Sequence, residues 1–156
     1  MLTTLTVLAV IMVIAVPSLS GLVRSSKVRS AQSELVASLM LARSEAAKRG
    51  VTVGVAASAP VAGSEFNKGW TVWVDANEDG VVDSTELVIR SYPALGAAVV
   101  LGTTGNVTRL AFAATGFLVP ATAVNFKACG ASDTAKGFSV RLDPVGLADI
   151  QEVACP

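Results

Sequence analysis

The first charged side chain in this sequence is Arg24. Ahead of it, residues 1–23 hold twelve Leu, Ile and Val, interrupted by five hydroxyl residues, Pro17 and Gly21. Apolar positions such as Leu5, Leu8, Ile11 and Ile14 surround a helical wheel on every side, the pattern of a helix wetted by lipid or by other helices. At roughly −0.4 kcal/mol for each of the twelve, bilayer insertion gains about 5 kcal/mol, before Pro17, Gly21 and the hydroxyls take part of it back. The stretch is also long enough, since about 20 residues cross a hydrocarbon core. A cleaved signal peptide would have a basic region ahead of the apolar run, and none precedes it here; a soluble core helix is the other rival. Pro17 lacks a backbone donor and crowds the preceding turn, which predicts a kink or a local melting of the helix.

Beyond Val23 the pattern becomes one-sided. Val28, Ala31, Leu35, Leu39, Ala42 and Ala46 recur at steps of three or four, with Val36 and Met40 widening the stripe. Ser30, Glu34, Ser38 and Glu45 are read as falling on other faces. Arg24, Lys27 and Arg29 are placed at the lipid–water boundary, where long basic side chains reach headgroups. Lys48 and Arg49 suit the negative end of the helix dipole, and Gly50 supplies a left-handed cap. One rod is expected over residues 2–49, about 70 Å at 1.5 Å per residue. The chain divides into a stem (1–23), an amphipathic continuation of the helix (24–50) and a β-rich head (51–156).

After Gly50 the period shortens to that of extended chain. Strands are predicted at Val51–Val55, Gly69–Val74, Glu86–Tyr92, Ala97–Leu101, Thr108–Phe112, Val124–Cys129 and Phe138–Leu142, separated by Gly, Pro, Ser and Asn clusters. Trp70 and Trp73 are assigned to one face of their strand. A long helix followed by short antiparallel strands is an α+β layout, with the helix packed across the sheet.

Composition narrows the chemistry. Net charge is zero over 156 residues, so no global positive field draws in nucleic acid. The charge is uneven: residues 24–49 carry six basic and two acidic groups, and residues 65–86 carry six acidic groups and one lysine. Histidine, the commonest acid–base catalyst, is absent. Gly102-Thr-Thr-Gly105 lacks the strand-to-helix setting of a phosphate loop. Trp70, Trp73 and Tyr92 can stack on a ligand or simply pack a sheet. No enzymatic constellation emerges, and no cofactor is implied apart from the cation considered next. Cys129 and Cys155 suit one disulfide and an oxidising compartment; two buried thiols are the alternative.

One segment has metal-ligand spacing. Asp75, Asn77 and Asp79 occupy the first, third and fifth places of a twelve-residue calcium loop, with Gly80 at the sixth, Asp83 at the ninth and Glu86 at the twelfth. Hard oxygen ligands at alternate positions can wrap one Ca²⁺. A solvated acidic hairpin uses the same residue types and suits the flanking strands equally well.

The stem with its single proline, and Ala42-Arg-Ser-Glu-Ala-Ala-Lys-Arg-Gly50 at the end of the helix, resemble the type IV pilin class, more narrowly the GspH/FimT group of minor pilins and pseudopilins. The strand Gly69-Trp-Thr-Val-Trp-Val-Asp75 and the cysteine-bearing C-terminal strands are similar to that group too. The resemblance implies a non-enzymatic subunit held in the inner membrane by a single-pass stem, with its head in the periplasm. It further implies partnership with other pilin or pseudopilin subunits, in assembly or capping of a type IV pilus or a type II secretion pseudopilus. The family's mature chain begins with Phe and a Thr-Leu-Ile-Glu stretch behind a basic leader; this sequence opens just inside that boundary, as expected of a start codon called too far downstream or of a trimmed chain. Some minor pilins of this resemblance bind DNA through a Gly-Arg-x-Arg motif. The matching place is Gly146-Leu-Ala-Asp149, where both arginines are missing, leaving Lys127, Lys136 and Arg141 as a replacement patch.

Overall fold

A computed structural model describes residues 2–131 and 136–155, with side chains from Gly21 onward. One helix, α1, runs Leu2–Arg49. It continues unbroken through Pro17, since one missing backbone bond can be absorbed without ending a helix. The stripe read from spacing is the buried one: Val28, Ala31, Leu35, Leu39, Ala42 and Ala46 are each 2% exposed or less. Gly50 closes the helix with φ +69°, its N–H donating to Ala46 O at 2.9 Å.

The head carries two antiparallel sheets. One has the order β3-β2-β1-β5-β6, built from β1 (Val53–Ala57), β2 (Trp70–Val74), β3 (Val88–Tyr92), β5 (Arg109–Phe112) and β6 (Leu118–Val119). The other has the order β4-β7-β8-β9, built from β4 (Val99–Thr103), β7 (Val124–Gly130), β8 (Lys136–Leu142) and β9 (Ala148–Ala154). The helix touches strands of both sheets, so one apolar core serves all three elements. An aromatic chain crosses that core. Trp70 stacks on Tyr92 with centroids 5.0 Å apart, meets Phe66 edge-on at 6.2 Å, and Phe66 meets Phe126 at 5.3 Å.

Several expectations are corrected. Ser38 is fully buried, inside the stripe rather than beside it. Its Oγ donates to Leu35 O at 2.7 Å and accepts the Trp70 indole N–H at 2.9 Å, which removes the penalty of a buried hydroxyl. Trp70 and Trp73 occupy opposite faces of β2, because three residues is an odd step in a strand of period two. Trp70 joins the core; Trp73 lies on the outer face over Gly54, where any β-carbon would collide with the indole ring. Arg29 is docked on the head, its guanidinium 5.6 Å from the Phe138 ring centroid. Strands β6 and β9 were not anticipated.

Cys129 and Cys155 form a disulfide, with Cα atoms 5.9 Å apart. The bridge joins β7 to the chain just after β9, passing over the strand between them. Gly137 on β8 makes the crossing feasible, since a β-carbon there would strike both sulfur atoms.

Candidate functional site: the uncovered helix and the acidic loop

Among the described side chains of α1, the head's cover begins at Val28; Gly21, Leu22, Val23, Ser25, Ser26 and Lys27 are all exposed, Leu22 by 67% and Val23 by 50%. The helical backbone extends to Leu2, so about 39 Å of rod precedes Val28 at 1.5 Å per residue. The stem residues Leu5, Leu8, Ile11, Ile14 and Pro17 lie where side chains are outside the described set. Among the described residues, no helix is long and apolar enough to cross a membrane.

The covered half is anchored by polar contacts that spacing alone did not reveal. Arg43 Nη1 donates to Gly146 O at 3.0 Å, gripping the turn between β8 and β9. Glu65, 1% exposed, accepts the Gly63 N–H at 2.7 Å and the Thr103 N–H at 2.8 Å, tying the segment before β2 to β4. Burial pushes the Glu65 carboxyl up, but its hydrogen bonds, backbone donors above all, outweigh this and hold it below its usual range. A lone acid ahead of an aromatic run was its only sequence signal.

The acidic loop joins β2 to β3 and is closed by the Val74 N–H donating to Leu87 O at 2.9 Å. Asp75 is 3% exposed; its Oδ2 accepts the Gly80 N–H at 3.1 Å. Asn77 Oδ1 accepts the Asp79 N–H at 3.2 Å, and Asp79 Oδ1 accepts the Val81 N–H at 2.7 Å. Asp83 Oδ1 takes both the N–H and hydroxyl of Thr85, the hydroxyl bond being the larger of the effects that lower its pKa. Glu86, at the twelfth place, reaches back to the N–H groups of Ala76 (3.1 Å) and Asp83 (3.4 Å). Among the described residues, no three His, Cys, Asp or Glu side chains stand together as a ready metal cage.

Of the basic residues singled out on the head, Lys127 on β7 and Arg141 on β8 share a face as diagonal neighbours, and Lys136 does not join them. Lys136 and Arg141 are five positions apart on β8 and so belong to opposite faces. Each meets a carboxylate: Lys136 Nζ lies 3.4 Å from Glu152, and Arg141 Nε lies 3.0 Å from Asp143. Arg141 also stands opposite Asp149 in the β8–β9 register, and Lys127 on β7 stands opposite Ser139 on β8.

Residues 31–146, the covered helix and most of both sheets, match the family described as type II transport protein GspH. The chain belongs to the GspH family. Among solved structures it is similar to the type IV minor pilin FimU of Pseudomonas aeruginosa, at 26% identity and a TM-score of 0.66, covering 81% of this chain and 89% of that one. A second crystal form of FimU gives 0.64 at the same identity, covering 79% of this chain and 91% of that one. The minor pseudopilin EpsH from the type 2 secretion system of Vibrio cholerae shares the fold at 13% identity and a TM-score of 0.56, covering 82% of this chain and 97% of that one. No curated sequence matches the chain. Members of the GspH family are structural pilins and pseudopilins, which are not enzymes.

Proposed function

We propose that this GspH-family chain is a minor pilin or pseudopilin, anchored in the inner membrane by residues 1–23 and taking part in assembly or capping of a type IV pilus or a type II secretion pseudopilus. The observation that supports this reading is a 48-residue helix whose described side chains are exposed or half-buried over residues 21–27 and covered by the head from Val28 onward. A helical segment with twelve Leu, Ile and Val and no charge must satisfy its apolar surface against lipid or protein. Lipid tails and neighbouring stems are comparably dry, so one surface serves both the waiting and the assembled state. Packing among stems then depends on close van der Waals fit and not on expulsion of water.

The test is incorporation. In cells lacking the native gene, the full chain and a chain without residues 1–23 are expressed with the same export signal, and sheared filaments are collected. The full chain is expected in the filament fraction, with the shortened one left behind as free head. Recovery of the shortened chain in filaments at the level of the full one would refute the role given to the stem.

A further inference from the structure

Asp75 combines two features rarely found together on an aspartate. The side chain is 97% removed from solvent, and among the described residues its Oδ1 meets no hydrogen-bond donor. Buried carboxylate oxygens are nearly always satisfied, because an unpaired one forfeits its hydration with nothing in return. The partner oxygen fixes where the group points: Oδ2 accepts the Gly80 N–H, so the carboxylate is turned into the loop whose first position it occupies.

We propose that the loop from Asp75 to Glu86 is a Ca²⁺ site and that Asp75 Oδ1 is its innermost ligand. Asn77 and Asp79 stand at the third and fifth places, joined by the Asn77 Nδ2–Asp79 Oδ2 contact at 3.0 Å. Glu78 and Gly80 have φ of 59° and 69°, which fold the chain tightly between these ligands. Glu86 directs its two oxygens at the N–H groups of Ala76 and Asp83. On binding, it exchanges those contacts for the metal. The loop borders a hollow of about 420 Å³ that includes Trp73, Glu78 and Arg109. Arg109 Nη1 donates to Gly80 O at 3.0 Å and adds a positive charge at the rim, so the affinity belongs to the weak, extracellular class, with Kd on the order of 10⁻⁴–10⁻³ M.

The experiment uses the full chain in detergent micelles. Ca²⁺ is titrated while the melting midpoint is followed, and Tb³⁺ is added separately to read luminescence sensitised by Trp73. Saturating Ca²⁺ is expected to raise the midpoint by roughly 5–15 °C, reversed by EDTA. Asp75→Asn keeps an acceptor for Gly80 and should lose at least about tenfold in Ca²⁺ affinity, one carboxylate ligand being worth a decade or more. Asp79→Asn alters an exposed residue, keeps the fold safe and should also weaken binding several-fold. Asp149→Asn on β9 should leave it unchanged. An unchanged midpoint in 10 mM Ca²⁺ overturns the proposal. So does a response that persists in both loop variants, or one that Mg²⁺ reproduces at equal ionic strength.

Discussion

Two polar residues in the core show what spacing and polarity each reveal. Ser38 lies three residues past Leu35 and four before Ala42, so the helical step placed it in the stripe while its hydroxyl argued against it. Spacing prevails because a serine hydroxyl can bond to the carbonyl of the preceding turn and still accept the Trp70 N–H. Glu65 was not legible at all, since its role depends on a strand brought close from 38 residues away. Its carboxylate is the form that accepts both N–H bonds. Because its folded pKa lies below the usual 4.5, the stability it contributes is complete above that value and is lost as the pH falls through and below it. Glu65→Gln is expected to cost about 2 kcal/mol at neutral pH by denaturant titration. The variant should also show a flatter fall in stability than the wild type below about pH 4.5.

Among the elements, α1 and the central strands were readable because each shows one period against one buried face. β4 was expected over Ala97–Leu101 and is found at Val99–Thr103. Gly102 lay just past the expected end, but a β-carbon there would run into the Gly63 carbonyl, so the strand needs glycine at that crossing. β9 escaped notice because it is an edge strand exposed over most of its length, with no alternation to betray it. Asp149 and Glu152 on it discourage pairing with stray strands. Its tether is the Cys129–Cys155 bridge, which closes a span of 26 residues and stabilises the fold by about 3.5 kcal/mol on a chain-entropy estimate. Reduction with dithiothreitol should lower unfolding stability by about that much, and β9 amides should gain hydrogen exchange before those of β7. Equal stability with and without reductant would show that the bridge constrains little.

At the scale of the molecule, the helix is what makes two sheets one body. Leu35 and Leu39 are fully buried in a core that draws side chains from both sheets. Leu39→Ala is expected to cost about 2–5 kcal/mol, the range for emptying a leucine site. Since no sheet has a core of its own, tryptophan emission and far-UV dichroism should lose signal at the same midpoint; separate midpoints would mean that the sheets unfold independently. That the head held two sheets was beyond sequence reading, because strand order rests on pairings between distant segments. The acidic loop was legible as a pattern, whereas the burial of Asp75 beneath it was not.

The bridge across Gly137 also leaves each molecule a record of its itinerary. The two sulfurs meet only once synthesis has passed Cys155, and a reducing cytosol keeps such pairs as thiols. Under the proposed periplasmic placement of the head, chains alkylated in freshly lysed cells would therefore sort by biography: those that take up maleimide have yet to be exported, and those that refuse it have already crossed.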